Sequence, residues 1–459
     1  MQLNSLIDSD RRHLIHPVSA YRAHEARGAT VLTGGNGMYL TDSEGNRLLD
    51  AFAGLWCVNI GYGQDSVVAA AAEQMRRLPY ATGYFSFASE PAILLAQRLA
   101  ELSPTGLERV YFTLGGSDAI DSVVRFVTHY FNATGRPNKK QMIALDKGYH
   151  GSSSNGAGLT GLPAFHRQFD VPHAWQHHIP AAYPYRSAAG DDPQAVIDLS
   201  VAQLRAKVAE LGAENVAAFF AEPVQGSAGV IVPPKGWLKA MRAVCTELDI
   251  LLVADEVITG FCRTGPLFAC ESEGVTPDLM TVAKGLTAGY APMGAVLMTE
   301  QVYAGIADGP DNHLPIGHGF TYSGHPVSAA VGLEVLRLYT EGGIMANGLE
   351  RGPQLAAGLA ALADHPLVGD VRSAGMLAGI ELVADKANRT RFDTALNISD
   401  RLSRAAYKNG LIFRAFADGT IGLAPAISCD ADDMEQLLTR LGKTLDDVLA
   451  QDEVRAAIV

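Results

Sequence analysis

Six short runs of nearly unbroken apolar residues constrain this chain most: Val110–Phe112, Met142–Leu145, Val216–Ala221, Ile250–Ala254, Leu279–Ala283 and Gly294–Met298. A strand with one face in water alternates apolar and polar residues, so runs this uniform predict strands covered on both faces. Helical patterns lie between several of them. A mainly parallel α/β sheet with helices on both sides is the arrangement that satisfies both features. With 459 residues the chain can bury a large core and form up to about three domains. Its 47 glycines, about one residue in ten against a usual ~7%, imply many tight turns.

The flanking segments read differently. GNGMYLTDSEGNRLLDAFAG carries two alternating stretches around Asp42–Asn46 and predicts a β-hairpin. Beyond residue 330, Val331–Tyr339 and Leu349–Leu362 read as helices and VRSAGMLAGIELV as one strand. A helix at Ser399–Lys408 closes on Gly410, the strands LIFRAF and TIGLAPA follow, and Asp430 caps a last helix. The expected division is a large domain over residues 61–329 and a smaller α+β domain built from both termini, residues 1–60 and 330–459.

Charge and composition exclude several classes. Against 36 Lys and Arg stand 49 Asp and Glu, a net charge of −13 that would repel a phosphate backbone, so no nucleic-acid partner is expected. No run approaches the ~20 apolar residues that span a bilayer, and the start MQLNSLIDSDRRHLIH lacks the apolar core of a signal peptide. These features predict a cytoplasmic protein without a membrane partner. Cys57, Cys245, Cys262, Cys270 and Cys429 show no CxxC spacing and read as reduced thiols. Thirteen histidines, including the pair His177 and His178, form no HExxH or similar ligand pattern, so no metal is assigned.

Three segments carry chemistry. In VYFTLGGSDAIDSVVRFVTHYF a strand enters Gly115-Gly116-Ser117 and then a helix with Ile120, Val123, Val124, Val127, Tyr130 and Phe131 on one stripe. Glycines allow close backbone approach, and free N–H groups at a helix start attract phosphate. By itself the segment reads first as an ordinary strand-to-helix turn capped by Ser117, and no GxGxxG or GxxxxGKS supports a nucleotide. In ILLVADEVITGFCRTG a buried strand delivers Asp255 to its carboxyl end, where open α/β sheets bind ligands. Such a carboxylate needs a cation, a hydrogen bond or a proton, and a ligand's protonated ring nitrogen is one candidate beside a local salt bridge. In PDLMTVAKGLTAGYAPMGAV, Lys284 alone of ten lysines ends an apolar strand at a glycine-rich turn. Burial and a nearby cation would lower its pKa and free the amine for a Schiff base.

A phosphate cup, a buried aspartate and a Schiff-base lysine, in that order, are the three handles that pyridoxal 5′-phosphate needs. The sequence resembles the class III (ω-) aminotransferases of the fold-type I pyridoxal-phosphate superfamily over nearly its whole length. DEVITGFCRTG and the lysine segment carry the resemblance, with Asp255 and Lys284 separated by 284 − 255 = 29 residues. KGYHG, EPVQG, TYSGHP and SAGMLAGIEL match further blocks, and GGSDAIDS matches the phosphate loop with Asp118 where Glu is usual. The resemblance implies that Gly116 and Ser117 hold the phosphate, joined by Thr321 from a neighbouring subunit. It implies Tyr149 and Val257 on the two faces of the pyridine ring, Asp255 at its nitrogen and Lys284 as the catalytic amine. Local alternatives are a packed core aromatic for Tyr149 and a turn hydroxyl for Thr321. Arg263 is expected to be structural and Glu222 a support for the site. A site completed across an interface implies a homodimer or tetramer.

Two departures point to the substrate. Family members handling ornithine, 4-aminobutyrate or acetylornithine carry a second glutamate in EPxQxE, where this chain has Ser227; the usual DEVQ glutamine is Ile258. Both features resemble the subgroup that uses pyruvate as acceptor and an amine or ω-amino acid as donor. Arg414 in GLIFRAFADGT matches that subgroup's mobile arginine and could clasp a carboxylate bidentately, the alternative being a surface salt bridge. Trp56, Tyr84 and Phe85 match its aromatic pocket wall, with core packing as the alternative. The implied reaction is ping-pong transfer of an amino group from amine to pyruvate, giving alanine. Rival readings are a decarboxylase, aminomutase or racemase on the same fold, a 2-oxoglutarate-dependent aminotransferase, a nicotinamide oxidoreductase, and a binding protein that keeps the fold.

Overall fold

A computed structural model describes residues 3–459; Met1 and Gln2, with which the expected segment 1–60 begins, lie outside the described residues. Seven strands form the large sheet in the order Leu107–Thr113, Gly294–Thr299, Leu279–Val282, Leu251–Asp255, Val216–Ala221, Gln141–Leu145 and Gln176–Ile179. Gly294–Thr299 is antiparallel to both its neighbours, and every other pair is parallel. The central strands Val216–Ala221 and Leu251–Asp255 are buried at every position. Successive side chains of a strand point to opposite faces. Phe219 and Leu252 accordingly join one apolar cluster and Phe220 and Val253 another. That double covering is why the runs are unbroken.

The helix Gly116–Ala133 packs on this sheet through Ile120, Val123, Val124, Val127, Tyr130 and Phe131, the stripe expected from the sequence. The edge strand Gln176–Ile179 was not among the expected ones. Its centre is His177 and His178, both only partly buried, because an edge strand needs less apolar cover.

The terminal segments build two further sheets. Leu32–Asn36, Tyr39–Asp42 and Arg47–Asp50 form an antiparallel sheet, and Leu411–Ile412 joins it in parallel, pairing Leu411 with Leu49. The second sheet runs Val368–Ala374, Leu377–Leu382, Thr420–Leu423 and Arg414–Ala415. Two expectations are corrected here. VRSAGMLAGIELV is a hairpin and not one strand, turning at Gly375 with φ +58°. LIFRAF is two strands in two different sheets, divided at Phe413. Ala431–Leu449 is capped by Asp430 and Asp433 in a reciprocal box.

The fully buried Arg263 ties these parts together. Its guanidinium donates to the Pro425 carbonyl at 2.6 Å and to Asn59 Oδ1 at 2.6 Å. Burial holds its pKa down to about 10. All five cysteines are free, and among the described residues no helix is long and apolar enough to cross a membrane.

Candidate active site

At the carboxyl ends of the parallel strands one cleft is lined by Gly116, Ser117, Tyr149, His150, Gly151, Glu222, Asp255, Val257, Ile258 and Lys284. Each of the three segments singled out in the sequence ends there. Asp255 is the last residue of Leu251–Asp255, Lys284 lies two residues past Leu279–Val282, and Ser117 opens the helix Gly116–Ala133.

The Asp255 carboxylate is buried and held from several sides. Oδ1 accepts the Val257 N–H and the Thr281 hydroxyl, both at 3.1 Å, and Oδ2 lies 2.8 Å from His150 Nδ1. Burial opposes protonation of His150, but its bond to Asp255 outweighs that and raises its pKa above the ordinary value. The backbone N–H of His150 donates in turn to Thr160 Oγ1 at 2.8 Å. Behind them Glu222 accepts the Tyr149 N–H at 2.8 Å and the Gly226 N–H at 3.1 Å. Burial, reinforced by Asp255, pushes its pKa up to about 7. The adjacent Glu256 turns away, accepting from Ala269 N, Cys270 N and the Thr259 hydroxyl.

Opposite stands Lys284, at φ +39°, whose amine makes no hydrogen bond or ion pair among the described residues. Burial lowers its pKa, against the pull of Cys57, Asp255 and Glu222. Its Nζ is 5.9 Å from the Trp56 ring centroid. Trp56 is 3% exposed, sits at φ +54°, and has no hydrogen-bond partner for its Nε1 among the described residues. It stacks on Phe416 at 6.2 Å, and both belong to an apolar wall with Ile258, Val224 and Leu377. Ile258, which stands where the family usually has a glutamine, packs into that wall.

Ser117 Oγ accepts the Ser152 N–H at 3.2 Å, and a Cβ added to Gly151, at φ +105°, would lie 2.7 Å from that oxygen. A Cβ on Gly116 would meet Val257 Cγ1 at 3.0 Å. Backbone therefore approaches backbone closely at the helix start, leaving its N–H groups for an anion. The Tyr149 hydroxyl is 3.1 Å from Ser152 Oγ, and its ring meets Phe165 edge-on at 5.3 Å. Anion cradle, buried carboxylate and unpartnered amine in one cleft fit pyridoxal 5′-phosphate: its phosphate, ring nitrogen and aldehyde require those three groups.

Not every expected residue lines this cleft. Thr321 is exposed, and its carbonyl accepts the Tyr80 hydroxyl at 3.0 Å. Tyr84 is 40% and Phe85 86% exposed, and a Cβ on Gly319 would lie 2.6 Å from the Tyr84 oxygen, so Tyr84 packs against the loop that carries Thr321. Ser227 is partly buried beyond Gly226. Arg414 is exposed, with its guanidinium carbon 5.3 Å from the centroid of Phe416 and no ion pair among the described residues. Sequence reasoning missed His150, Thr281 and Gly151. His150 and Gly151 stand inside the KGYHG block, whose polar and glycine residues were the available signal. Thr281 sits inside an apolar run and gave none.

A family model described as aminotransferase class-III matches residues 21–445. The chain is 43% identical over 441 residues to the putrescine–pyruvate aminotransferase of Pseudomonas aeruginosa, covering 96% of this chain and 95% of that one. It is 40% identical over 450 residues to the diaminobutyrate–2-oxoglutarate transaminase of Halomonas elongata, covering 96% of each. The solved structure of a thermostable (S)-enantioselective omega-transaminase from Thermomicrobium roseum superposes with a TM-score of 0.95 at 36% identity, covering 98% of this chain and 99% of that one.

Proposed function

The chain belongs to the class-III aminotransferases, and from that premise we propose that it moves an amino group from an amine or ω-amino acid to pyruvate, releasing alanine. A short diamine, the donor named for the Pseudomonas aeruginosa relative, is the first to test. The observation that carries the reading is the unpartnered Lys284 amine facing the multiply bonded Asp255 carboxylate in one cleft.

Bound there, pyridoxal 5′-phosphate supplies an aldehyde that condenses with amines and a protonated ring that accepts electrons from the substrate Cα. Gly116 and Ser117 would hold its phosphate, Tyr149 and Val257 would pack against its ring, and Asp255 would keep the proton on the ring nitrogen. Lys284 would lift the proton from the donor's Cα and deliver it to the cofactor carbon that carried the aldehyde, a task suited to an amine whose pKa burial has lowered. Trp56 excludes water beside it. Arg414, with no carboxylate partner among the described residues, clasps that of pyruvate or alanine and turns aside for an amine that has none, because a buried unpaired charge against an apolar group is costly. Ser227, standing where a glutamate would pair with such an arginine, favours pyruvate over 2-oxoglutarate.

In this reading Thr321, Tyr84 and Phe85 serve the site of a second copy, making the active unit at least a dimer. Residues 61–329 act as the cofactor-holding unit, segments 1–60 and 330–459 as the part that closes on it, and the location is cytoplasmic. The test is a donor panel with pyruvate against 2-oxoglutarate, run with wild type and Lys284→Ala. Wild type is expected to form alanine without carbon dioxide release, and borohydride to fix the cofactor on the Lys284 peptide. A strong preference for 2-oxoglutarate would overturn the acceptor assignment, and an adduct on another lysine would overturn the site.

A further inference from the structure

Two histidines and one carboxylate converge near the amino terminus, outside the residues that line the Lys284 cleft. Asp10 lies on the helix Leu3–His13, His24 on the helix Tyr21–Arg27, and His16 between them. His16 Nε2 is 2.6 Å from Asp10 Oδ1, and His24 Nε2 is 2.8 Å from Asp10 Oδ2. One ligand atom from each residue lies within 4.8 Å of the other two. The ring centroids are 4.1 Å apart at an interplanar angle of 40°, and each Nε2 contacts an oxygen of the same carboxylate. The side chains of Asp10, His16 and His24 are only 10%, 30% and 18% exposed. Arg11 and Arg12 follow Asp10 in sequence yet leave its carboxylate to the histidines. Arg12 donates to the Asp8 carbonyl at 3.1 Å, and Arg11 reaches the Asp8 carboxylate at 3.8 Å and the Ala26 carbonyl at 3.5 Å.

We propose that Asp10, His16 and His24 bind one divalent transition-metal ion of the zinc, cobalt or nickel class. Imidazole nitrogens with one carboxylate oxygen are the donor set these borderline ions take, and three protein ligands leave a fourth position for water. Ligand bonds of about 2.0–2.2 Å place neighbouring ligand atoms of a tetrahedral ion roughly 3.4 Å apart, so the contacts need open by less than about 1 Å. Each neutral ring keeps its single proton, shifted to Nδ1, and the ion takes the place of the two Nε2–H bonds. No expected motif has this 6- and 8-residue spacing (16 − 10 and 24 − 16), which is why the sequence assigned no metal. The ion's role follows from what it joins. The helix Tyr21–Arg27 buries no residue and has no side-chain cap, so a ligand on each element would fasten it to the preceding helix.

The test uses chelator-treated, cofactor-loaded full-length protein titrated with Co²⁺, followed by its visible ligand-field absorption, with Zn²⁺ as competitor. Wild type is expected to bind one ion per chain, and Asp10→Asn and the double variant His16→Asn/His24→Asn to bind at least about tenfold more weakly. Tryptic cleavage after Arg22 and Arg27 is expected to slow about tenfold at a free metal concentration ten times the dissociation constant, in wild type alone. Equal binding by wild type and the double variant, or no saturable absorption in wild type, would overturn the proposal. Should the variants fail to fold, the wild-type spectrum decides: nitrogen and oxygen ligation supports the site, and thiolate charge-transfer bands, which place the ion on a cysteine, refute it.

Discussion

Three segments of chain supply the donors that fix the Asp255 carboxylate: the Val257 N–H, the Thr281 hydroxyl and the His150 ring. A hydrogen bond to a charged group is worth about 1.5–3 kcal/mol, so Thr281→Val is expected to lower kcat by about 10- to 100-fold. The same variant is expected to shift the absorption spectrum of the bound cofactor. A variant with unchanged rate and spectrum would show that Thr281 does not position Asp255. Glu222 gives a prediction in pH. Its folded pKa of about 7 lies above the ordinary 4.5, so the folded protein holds a proton that the unfolded chain has released. The stability this confers, roughly 3 kcal/mol, is complete below about pH 4.5 and is lost as pH rises through about 7. Urea unfolding of the cofactor-free protein from pH 5 to pH 8 should therefore show a decline that Glu222→Gln flattens. Parallel declines in both proteins would refute this assignment.

The start of the helix Gly116–Ala133 depends on a neighbouring turn, because Gly151 at φ +105° leaves no room for a side chain beside Ser117. Gly151→Ala is expected to cost about 1–3 kcal/mol in backbone strain and to displace Ser117. Calorimetry should show a lower Tm, and an absorbance titration weaker pyridoxal 5′-phosphate binding; a loss of Tm with unchanged binding would separate Ser117 from the phosphate. At this scale the sequence was legible wherever one physical demand dominated. Strands covered on both faces wrote themselves as apolar runs, and Asp255, Lys284 and Ser117 were visible as polar residues ending those runs. Gln176–Ile179 was hidden because an edge position relaxes the demand for apolar residues. The hairpin at Gly375 was hidden because the turn spends only two residues, Gly375 and Met376, between its strands. Thr281 and His150 escaped for another reason: their importance lies in reaching a residue on a different segment, which no local pattern records.

In the molecule as a whole, Tyr80, Tyr84, Phe85, Phe87 and Tyr322 expose 40–86% of their surface around the loop that carries Thr321. Aromatic residues gathered in this way mark contact surfaces. Sedimentation is expected to show at least a dimer, with Phe85→Asp shifting it toward monomer and lowering activity in parallel; a fully active monomer would exclude a site shared between copies. The division of LIFRAF between two sheets bears on how one pocket serves unlike substrates. Gly410 and Ile412 are tied to Leu49 and Ala51 on one side, while Arg414 and Ala415 pair with Gly422 and Ile421 on the other. The main chain at Arg414 is thereby clamped from both directions while its long side chain stays free to rotate. If Arg414 takes the role proposed above, exchanging a keto acid for an apolar amine needs only torsions about side-chain bonds, movements that exposed residues complete in picoseconds to nanoseconds. Alternation between the two guests would be too fast to limit turnover.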